Sequence, residues 1–497
     1  MLGIWFGVSQ KNTILIAAAA MLLSAGCTVG PNYKRPTAPV PATWQVSEPW
    51  RQAEPKDTVP KTEWWSLFHD DELNGLENQL VAANQTLQVA QAHFQQARAS
   101  AQVQNATLFP TVNAGPAANV TRYSGTRPSQ SVTPVTAPVT QSDYYLPFTV
   151  SYEVDLFGQR RRTIEAAQAA FQANAADLEN VRLVLTAELA ADFFTVRQLD
   201  SEIGILNRTV EALQKGLELV ESRHSGGIAS GLDVAQEETL LNTTRTQAIL
   251  LVQQRKQFED AIAVLVGKPA PEFHLAAREL AAEPPNIDAA IPSDLLERRP
   301  DIAESERQMA IANAQIGIAK AAYYPSLLLY GQGGRNSEHI SQLLNAASTV
   351  WALGANVSQD IFSGGALHAQ VRYSQAGYDA TVANYRNTVL TAFQEVQDNI
   401  TGLEVLASAR QSQADAVNSA QKQLDIATSR YVGGLVTYLD VVSAQQNLLS
   451  NQQEAAVIQG QRLVTSVLLV KALGGGWDAA SLAAVHVKPQ SRDLVTQ

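Results

Sequence analysis

From residue 146 to 156 the chain alternates strictly. Leu146, Phe148, Val150, Tyr152, Val154 and Leu156 share one face, and Pro147, Thr149, Ser151, Glu153 and Asp155 share the other. A period of two is that of a strand with one apolar and one polar face. The pattern returns as Trp351, Leu353, Ala355 and Val357 against Ala352, Gly354, Asn356, Ser358 and Asp360. These runs predict strands near 145–157 and 350–361, with weaker partners near 111–122 and 326–334. Between them the period changes. Residues 161–223 contain no proline and are rich in Ala, Gln, Glu, Leu and Arg, with Leu178, Val181, Leu185, Leu189, Phe193 and Val196 at helical spacing. A helix of about 60 residues is roughly 90 Å long, more than any compact globule needs. Its counterpart is 367–430. The return helices 232–265 and 439–472 are about half as long, and helices at 85–107 and 301–323 make up the difference by stacking end to end on them. Asn84 and Asp301 are the expected caps of these entering helices.

The same unit is written twice. Ser222-Arg223-His224-Ser225-Gly226-Gly227 matches Ser429-Arg430-Tyr431-Val432-Gly433-Gly434, and Leu232-Asp233-Val234 matches Leu439-Asp440-Val441, at an offset of 207. Asp155-Leu156-Phe157-Gly158 matches Asp360-Ile361-Phe362-Ser363-Gly364 at 205, and Phe109-Pro110 matches Tyr324-Pro325 at 215. Landmarks in a constant order indicate two copies of one unit: helix, strand pair, very long helix, Gly-Gly turn, shorter helix. Gly226-Gly227 and Gly433-Gly434 supply the backbone freedom that reverses the chain at each tip. Repeat 1 is expected over 64–270 with its tip at 224–231. A linker follows over 271–300, then repeat 2 over 301–476 with its tip at 431–438, and a tail over 477–497.

Composition narrows what such a molecule does. A formal net charge of -11 over 497 residues argues against nucleic acid, because phosphate binding needs clustered Lys and Arg. The basic run Arg160-Arg161-Arg162 reads as a solvated patch where a strand meets a helix. One cysteine cannot form an internal disulfide or a thiolate zinc site, and the seven histidines show no ligand spacing. No metal and no cofactor are expected.

The single cysteine has another reading. Lys11 precedes an apolar run over Ile14–Leu23, about ten residues and too short to span a bilayer. Leu23-Ser24-Ala25-Gly26-Cys27 then resembles a bacterial lipobox, with its large apolar residue one place early. Residues 1–26 are thus expected to be a lipoprotein signal peptide, and Cys27 the lipid-bearing residue. Thr28 stands where an aspartate commonly marks inner-membrane retention, so the address points outward. Pro31, Pro36, Pro39, Pro41, Pro49, Pro55 and Pro60 make 27–63 an extended strap.

At a membrane the alternating strands become the spanning elements, since no apolar helix of about 20 residues exists elsewhere. Four strands cannot close a barrel without leaving edges in lipid, so copies must complete it.

These features resemble a known family, the outer-membrane efflux proteins of the TolC superfamily and within it the NodT/OprM-type lipoproteins. The resemblance rests on Cys27-Thr28-Val29-Gly30-Pro31-Asn32-Tyr33-Lys34-Arg35-Pro36, Trp64-Trp65 with Phe68, Ser151 to Gly158, Arg298-Arg299-Pro300-Asp301-Ile302 and both Gly-Gly tips. It implies a mainly α chain with membrane β, trimeric, whose twelve strands form one outer-membrane barrel continued through the periplasm by a long α-helical barrel. It implies a passive duct, not an enzyme, for a tripartite efflux pump, working with a periplasmic adaptor (membrane fusion protein) and an inner-membrane transporter of the resistance-nodulation-division (RND) class. It further implies a periplasmic gate at the second-repeat tip, with Leu439 as apolar constriction, Asp440 as acidic ring and Tyr431 as a tip contact. Ser443 and Val436 depart from relatives that carry an acid and a gate-locking arginine there. The alternative for Asp440 is a helix-capping acid, which the equivalent Asp233 also satisfies. The adaptor would meet Gly226, Gly227, Gly433 and Gly434 together with Arg223, Arg430, Leu232 and Leu439.

The chief competing function is a duct for type I secretion of polypeptides. A purely structural coiled coil would need no alternating strands. An enzyme would have to use Gly331-Gln332-Gly333-Gly334 or Gly474-Gly475-Gly476 as a phosphate loop, and neither precedes a Lys-Ser/Thr pair.

Overall fold

The computed structural model describes residues 28–38, 40–41, 63–126, 137–285, 287, 295–477, 482 and 485–486. The expected signal peptide, Cys27, most of the proline-rich stretch and most of the tail lie outside them.

Two helices dominate, α3 (Gln159–Ser225) and α7 (Ala366–Val432), each of 67 residues and so about 100 Å long. The return helices α4 (Gly231–Leu265) and α8 (Tyr438–Ala472) have 35 residues each. The entering helices α2 (Gln85–Ala106) and α6 (Pro300–Ala321) have 22 each. A short α1 (Asp71–Ala83) precedes α2, and a single turn, α5 (Leu295–Arg298), precedes α6.

The return and entering helices meet end to end through a side chain. Asn84 accepts from Leu87 N at 2.9 Å to start α2, and its amide donates to the Leu265 carbonyl at 2.8 Å where α4 ends. In the second repeat Arg299 takes that place, donating to the Ala472 carbonyl at 3.0 Å where α8 ends. Asp301 is therefore not the cap of α6. Pro300 occupies the first helical position, where its missing N–H costs nothing, so Arg299 is the capping residue and Asp301 falls in the first turn. There Asp301 holds the Arg299 guanidinium at 2.7 Å.

The strands form one antiparallel sheet. β1 (Thr111–Ala114) and β2 (Ala117–Tyr123) pair with β3 (Val139–Val154) in one unbroken register, Thr111 opposite Ser151 and Tyr123 opposite Val139. They are one strand line interrupted at Gly115-Pro116, because proline has no N–H to donate. β3 pairs with β4 (Ser326–Ser337), and β4 with β5 (Thr349–Ser358). The glycines over 331–334 lie inside β4 rather than at a helix start. Among the described residues, the β1/β2 line and β5 are paired on one side only. No helix among the described residues is long and apolar enough to cross a membrane.

The core lies midway along the long helices, where a 3-10 turn over Trp64–Phe68 is pressed against them. Trp64, Trp65, Phe68, Leu189, Phe193, Phe194, Val389 and Leu463 are buried together. Trp64 donates from Nε1 to Thr186 Oγ1 at 3.3 Å, and the Phe68 and Phe194 rings lie 5.0 Å apart.

Ions pin the segment over 273–280 across α3 and α4. Asp200 accepts from Arg197 at 2.8 Å and from Arg255 at 2.5 Å, while Arg197 also holds Glu72 at 2.6 Å and the Ala276 carbonyl at 2.6 Å. Glu259 accepts from Arg255 and from Leu275 N, both at 2.8 Å. Every carboxylate in this buried set has a guanidinium partner, the condition under which such charges are tolerated.

The segment 28–38 runs extended along the body. Val29 N donates to the Phe157 carbonyl at 3.0 Å. The buried Arg162 donates to the Val29 and Gly30 carbonyls, both at 3.3 Å, and to Asn32 Oδ1 at 2.8 Å. Gly30, at φ 99°, crosses α6 at Gly317; a Cβ there would lie 2.5 Å from the Gly317 Cα. Farther along, Tyr33 donates to Glu306 at 3.4 Å, and Arg35 to the Tyr385 hydroxyl at 3.3 Å.

Candidate functional site: the paired hairpin tips

The two tips are built by the same local rules. α3 and α7 end at Gly226 and Gly433. Gly227 and Gly434 then take a left-handed φ of 72°, which costs a side chain dearly and glycine nothing. Ile228 N donates to the Arg223 carbonyl at 2.8 Å and Leu435 N to the Arg430 carbonyl at 2.9 Å, so each turn satisfies the orphan carbonyls of the helix it ends. The return helices begin with reciprocal caps. Ser230 N donates to Asp233 Oδ2 at 3.1 Å and Asp233 N to Ser230 Oγ at 3.2 Å. Thr437 N and Oγ1 donate to Asp440 Oδ2 at 3.0 and 2.8 Å. Asp440 is thus a capping acid, as Asp233 is.

What differs between the tips is aromatic. Tyr431 and Tyr438 occupy the positions of His224 and Gly231. Both tyrosines turn inward, 9% and 4% exposed, and join the hairpins in one cluster with Leu213, Val220, Leu240, Leu241, Val441 and Val442. Their rings lie 4.9 Å apart, and the Arg223 guanidinium sits 5.1 Å over the Tyr431 ring. Burial raises the Tyr431 hydroxyl above its ordinary value, with Asp233 adding to the effect and Arg223 opposing it.

Beneath this pair lies a buried acid, Glu237, 0% exposed. Burial raises its carboxyl above the ordinary carboxylate range, partly offset by the Tyr438 hydroxyl and Gln445 that face it. Neither partner reaches full hydrogen-bond geometry with its oxygens. Gly216 makes the space, since a Cβ there would lie 2.4 Å from Glu237 Oε1. Between the hairpins a groove of about 550 Å³ is lined by Gly216, Val220, Leu424, Thr428, Val441 and Gln445.

Of the residues expected from sequence, Tyr431 and Arg223 come together as one contact, and Leu439 and Asp440 stand side by side on the surface. Leu439 is 55% and its counterpart Leu232 is 65% exposed, and Arg430 is exposed as well. Cys27 lies outside the described residues. Tyr438, Glu237 and Gly216 were not singled out by the sequence patterns. Their signal was a departure from the repeat: Gln423 and Ala444 stand where the first repeat has Gly216 and Glu237.

A family model described as outer membrane efflux protein matches residues 76–268 and 291–475. The toluene efflux pump outer membrane protein TtgF of Pseudomonas putida is 30% identical over 481 residues, spanning 95% of this chain and 98% of that protein. The pyoverdine export outer membrane protein OpmQ of Pseudomonas aeruginosa is 32% identical over 479 residues, again 95% and 98%. The solved outer-membrane channel OprN superposes with a TM-score of 0.83 at 27% identity, spanning 91% of this chain and 100% of that one.

Proposed function

The chain belongs to the outer membrane efflux protein family, and from that premise we propose that three copies close one twelve-stranded barrel in the outer membrane over a helical duct through the periplasm. It is an outer-membrane channel of an efflux pump with a TolC-like fold, and its family and structural neighbours are channels. The observation that carries the trimer is the sheet. Its outward residues are apolar, Trp351, Leu353 and Val357 being 75%, 78% and 66% exposed, and its two edges are unpaired. Lipid tolerates no such edge.

The named cargoes of equally similar relatives, toluene and pyoverdine, are chemically unalike small molecules. That favours a passive duct for small molecules over polypeptide secretion, with cargo chosen by an inner-membrane transporter of the RND class and a periplasmic adaptor. The adaptor's contact is the exposed apolar rim of the tips, where Ile228, Leu232, Leu435 and Leu439 are 70%, 65%, 71% and 55% exposed, together with Arg430.

Cys27 carries the lipid in this reading. Cys27→Ser is expected to abolish acyl labelling while leaving 28–38 docked, because Arg162 holds that segment independently of any acyl chain; labelling that persists removes the anchor.

At the tip, Leu439 forms the constriction and Asp440 a ring of three carboxylates that favours cations. Because Asp233 and Asp440 cap their helices alike, the pair separates the two roles. Both Asp233→Asn and Asp440→Asn should weaken the helix start by roughly 0.3–1 kcal/mol, the worth of a carboxylate beside the positive end of a helix, but only Asp440→Asn should lower cation selectivity in planar bilayers. Equal effects on selectivity would leave Asp440 a cap alone.

A further inference from the structure

Where β3 runs into α3, Phe157 stacks on Tyr324, the residue two places before β4, with ring centroids 4.6 Å apart and planes at 20°. The two rings lie in line with the β3–β4 register, which sets Val154 opposite Leu327. The stack closes the seam between the two repeats at the foot of the sheet.

The internal repeat supplies both rings a second time. Phe362 follows β5 as Phe157 follows β3, at an offset of 205, and Phe109 precedes β1 as Tyr324 precedes β4, at an offset of 215. Within one chain these two cannot meet, since β5 and the β1/β2 line are the opposite edges of the sheet. Among the described residues Phe362 is left uncovered and Phe109 half-covered. Phe362 and its neighbour Ile361 are 90% and 89% exposed, and Phe109 is 50% exposed. The first junction is also covered by the extended N-terminal segment, with Thr28 against Gly158, whereas nothing lies within 4 Å of a Cβ built on Gly364 or Gly365.

We infer that Phe362 stacks on Phe109 of the next copy of this chain, a seam between subunits that repeats the Phe157–Tyr324 seam within each. The trimer proposed above is its premise. Transferring the β3–β4 register through the repeat sets Val357 opposite Ala114 of the next copy. A ring of six aromatic pairs, three within and three between chains, then encircles the junction of barrel and helices. Offset-stacked rings of this kind contribute beyond the area they bury, and here they also fix which residue of β5 meets which residue of β1.

The full-length chain carrying Phe109→Cys and Phe362→Cys together, treated in outer membranes with a short bis-maleimide, tests it. Most of the chain should shift to covalent dimer and trimer bands, and neither single variant should. A trimer by light scattering that yields no cross-link, or only one within a chain, overturns the stack and leaves the trimer standing. A particle that is not trimeric overturns both. Should the double variant fail to accumulate, Phe362→Trp in a Trp351→Phe background decides. Quenching by brominated lipid beyond that of Trp351→Phe alone puts the side chain in the bilayer interface and overturns the stack, whereas no added quenching supports it. Phe362→Ala should lower the temperature at which the trimer dissociates and Phe362→Tyr should not.

Discussion

Replacing Arg197 by alanine is expected to destabilise the protein by about 3–5 kcal/mol, the loss typical of removing one partner from a buried ion set. The side chain is 2% exposed, and its two nitrogens hold Asp200, Glu72 and the Ala276 carbonyl. Its guanidinium also lies 4.9 Å over the Phe193 ring in the core. Deleting it leaves Glu72 only Arg278 at 3.5 Å and removes the tie from α3 to the Ala276 carbonyl, although Asp200 keeps Arg255 and the Arg278 N–H. Arg197→Lys should rescue only part of the loss, because an ammonium cannot reproduce the fork that serves three acceptors. The measurement is the denaturant midpoint of the helical signal, paired with amide exchange over 273–280. A midpoint and exchange pattern unchanged from the parent would falsify this account of the equatorial region.

That network shows where sequence reading stops. The long helices, their tips and the alternating strands were legible because each is a local pattern repeated at a constant offset. Arg197 meets Glu72 across 125 residues, and nothing near either residue announces the other. The first strand was faint for a different reason. Gly115-Pro116 breaks its alternation, yet the register on either side stays continuous with β3. The sequence points to a cap of α6 two residues too far inward, since Asp301 is a good capping residue and Arg299 is not. What decides the matter is Pro300, together with the Ala472 carbonyl that Arg299 reaches. At the tip the repeat drew attention to what the two hairpins share, the glycines and aspartates, and these build the turns. The contact that joins the hairpins adds residues at positions where the copies differ, Tyr438 against Gly231 and Glu237 against Ala444, and matching segments carry no sign of these.

Tyr438→Ala is expected to open the tip. The ring is 4% exposed, packs on Tyr431 and covers Glu237. Truncating such an aromatic costs about 3 kcal/mol. If the closed tip alone makes this contact, the ratio of open to closed rises on the order of a hundredfold. Glu237 gives the same equilibrium a pH dependence of definite sign. Its carboxyl is raised in the packed tip, so packing binds the proton more tightly than an opened tip, where the acid meets water at an ordinary value of roughly 4.3. Packing is therefore firmest in acid. It weakens as pH rises from that ordinary value to the raised one, and is constant above it. Single-channel recordings should show openings becoming more frequent over this window in the parent. Glu237→Gln, neutral at every pH, should remove that slope and hold the tip as acid holds the parent. Tyr438→Ala should raise opening at all pH values and flatten the slope as well, since it lets water reach the acid. If the slope survives in Glu237→Gln, another group titrates, and Tyr438 and Glu237 do not act as one lock.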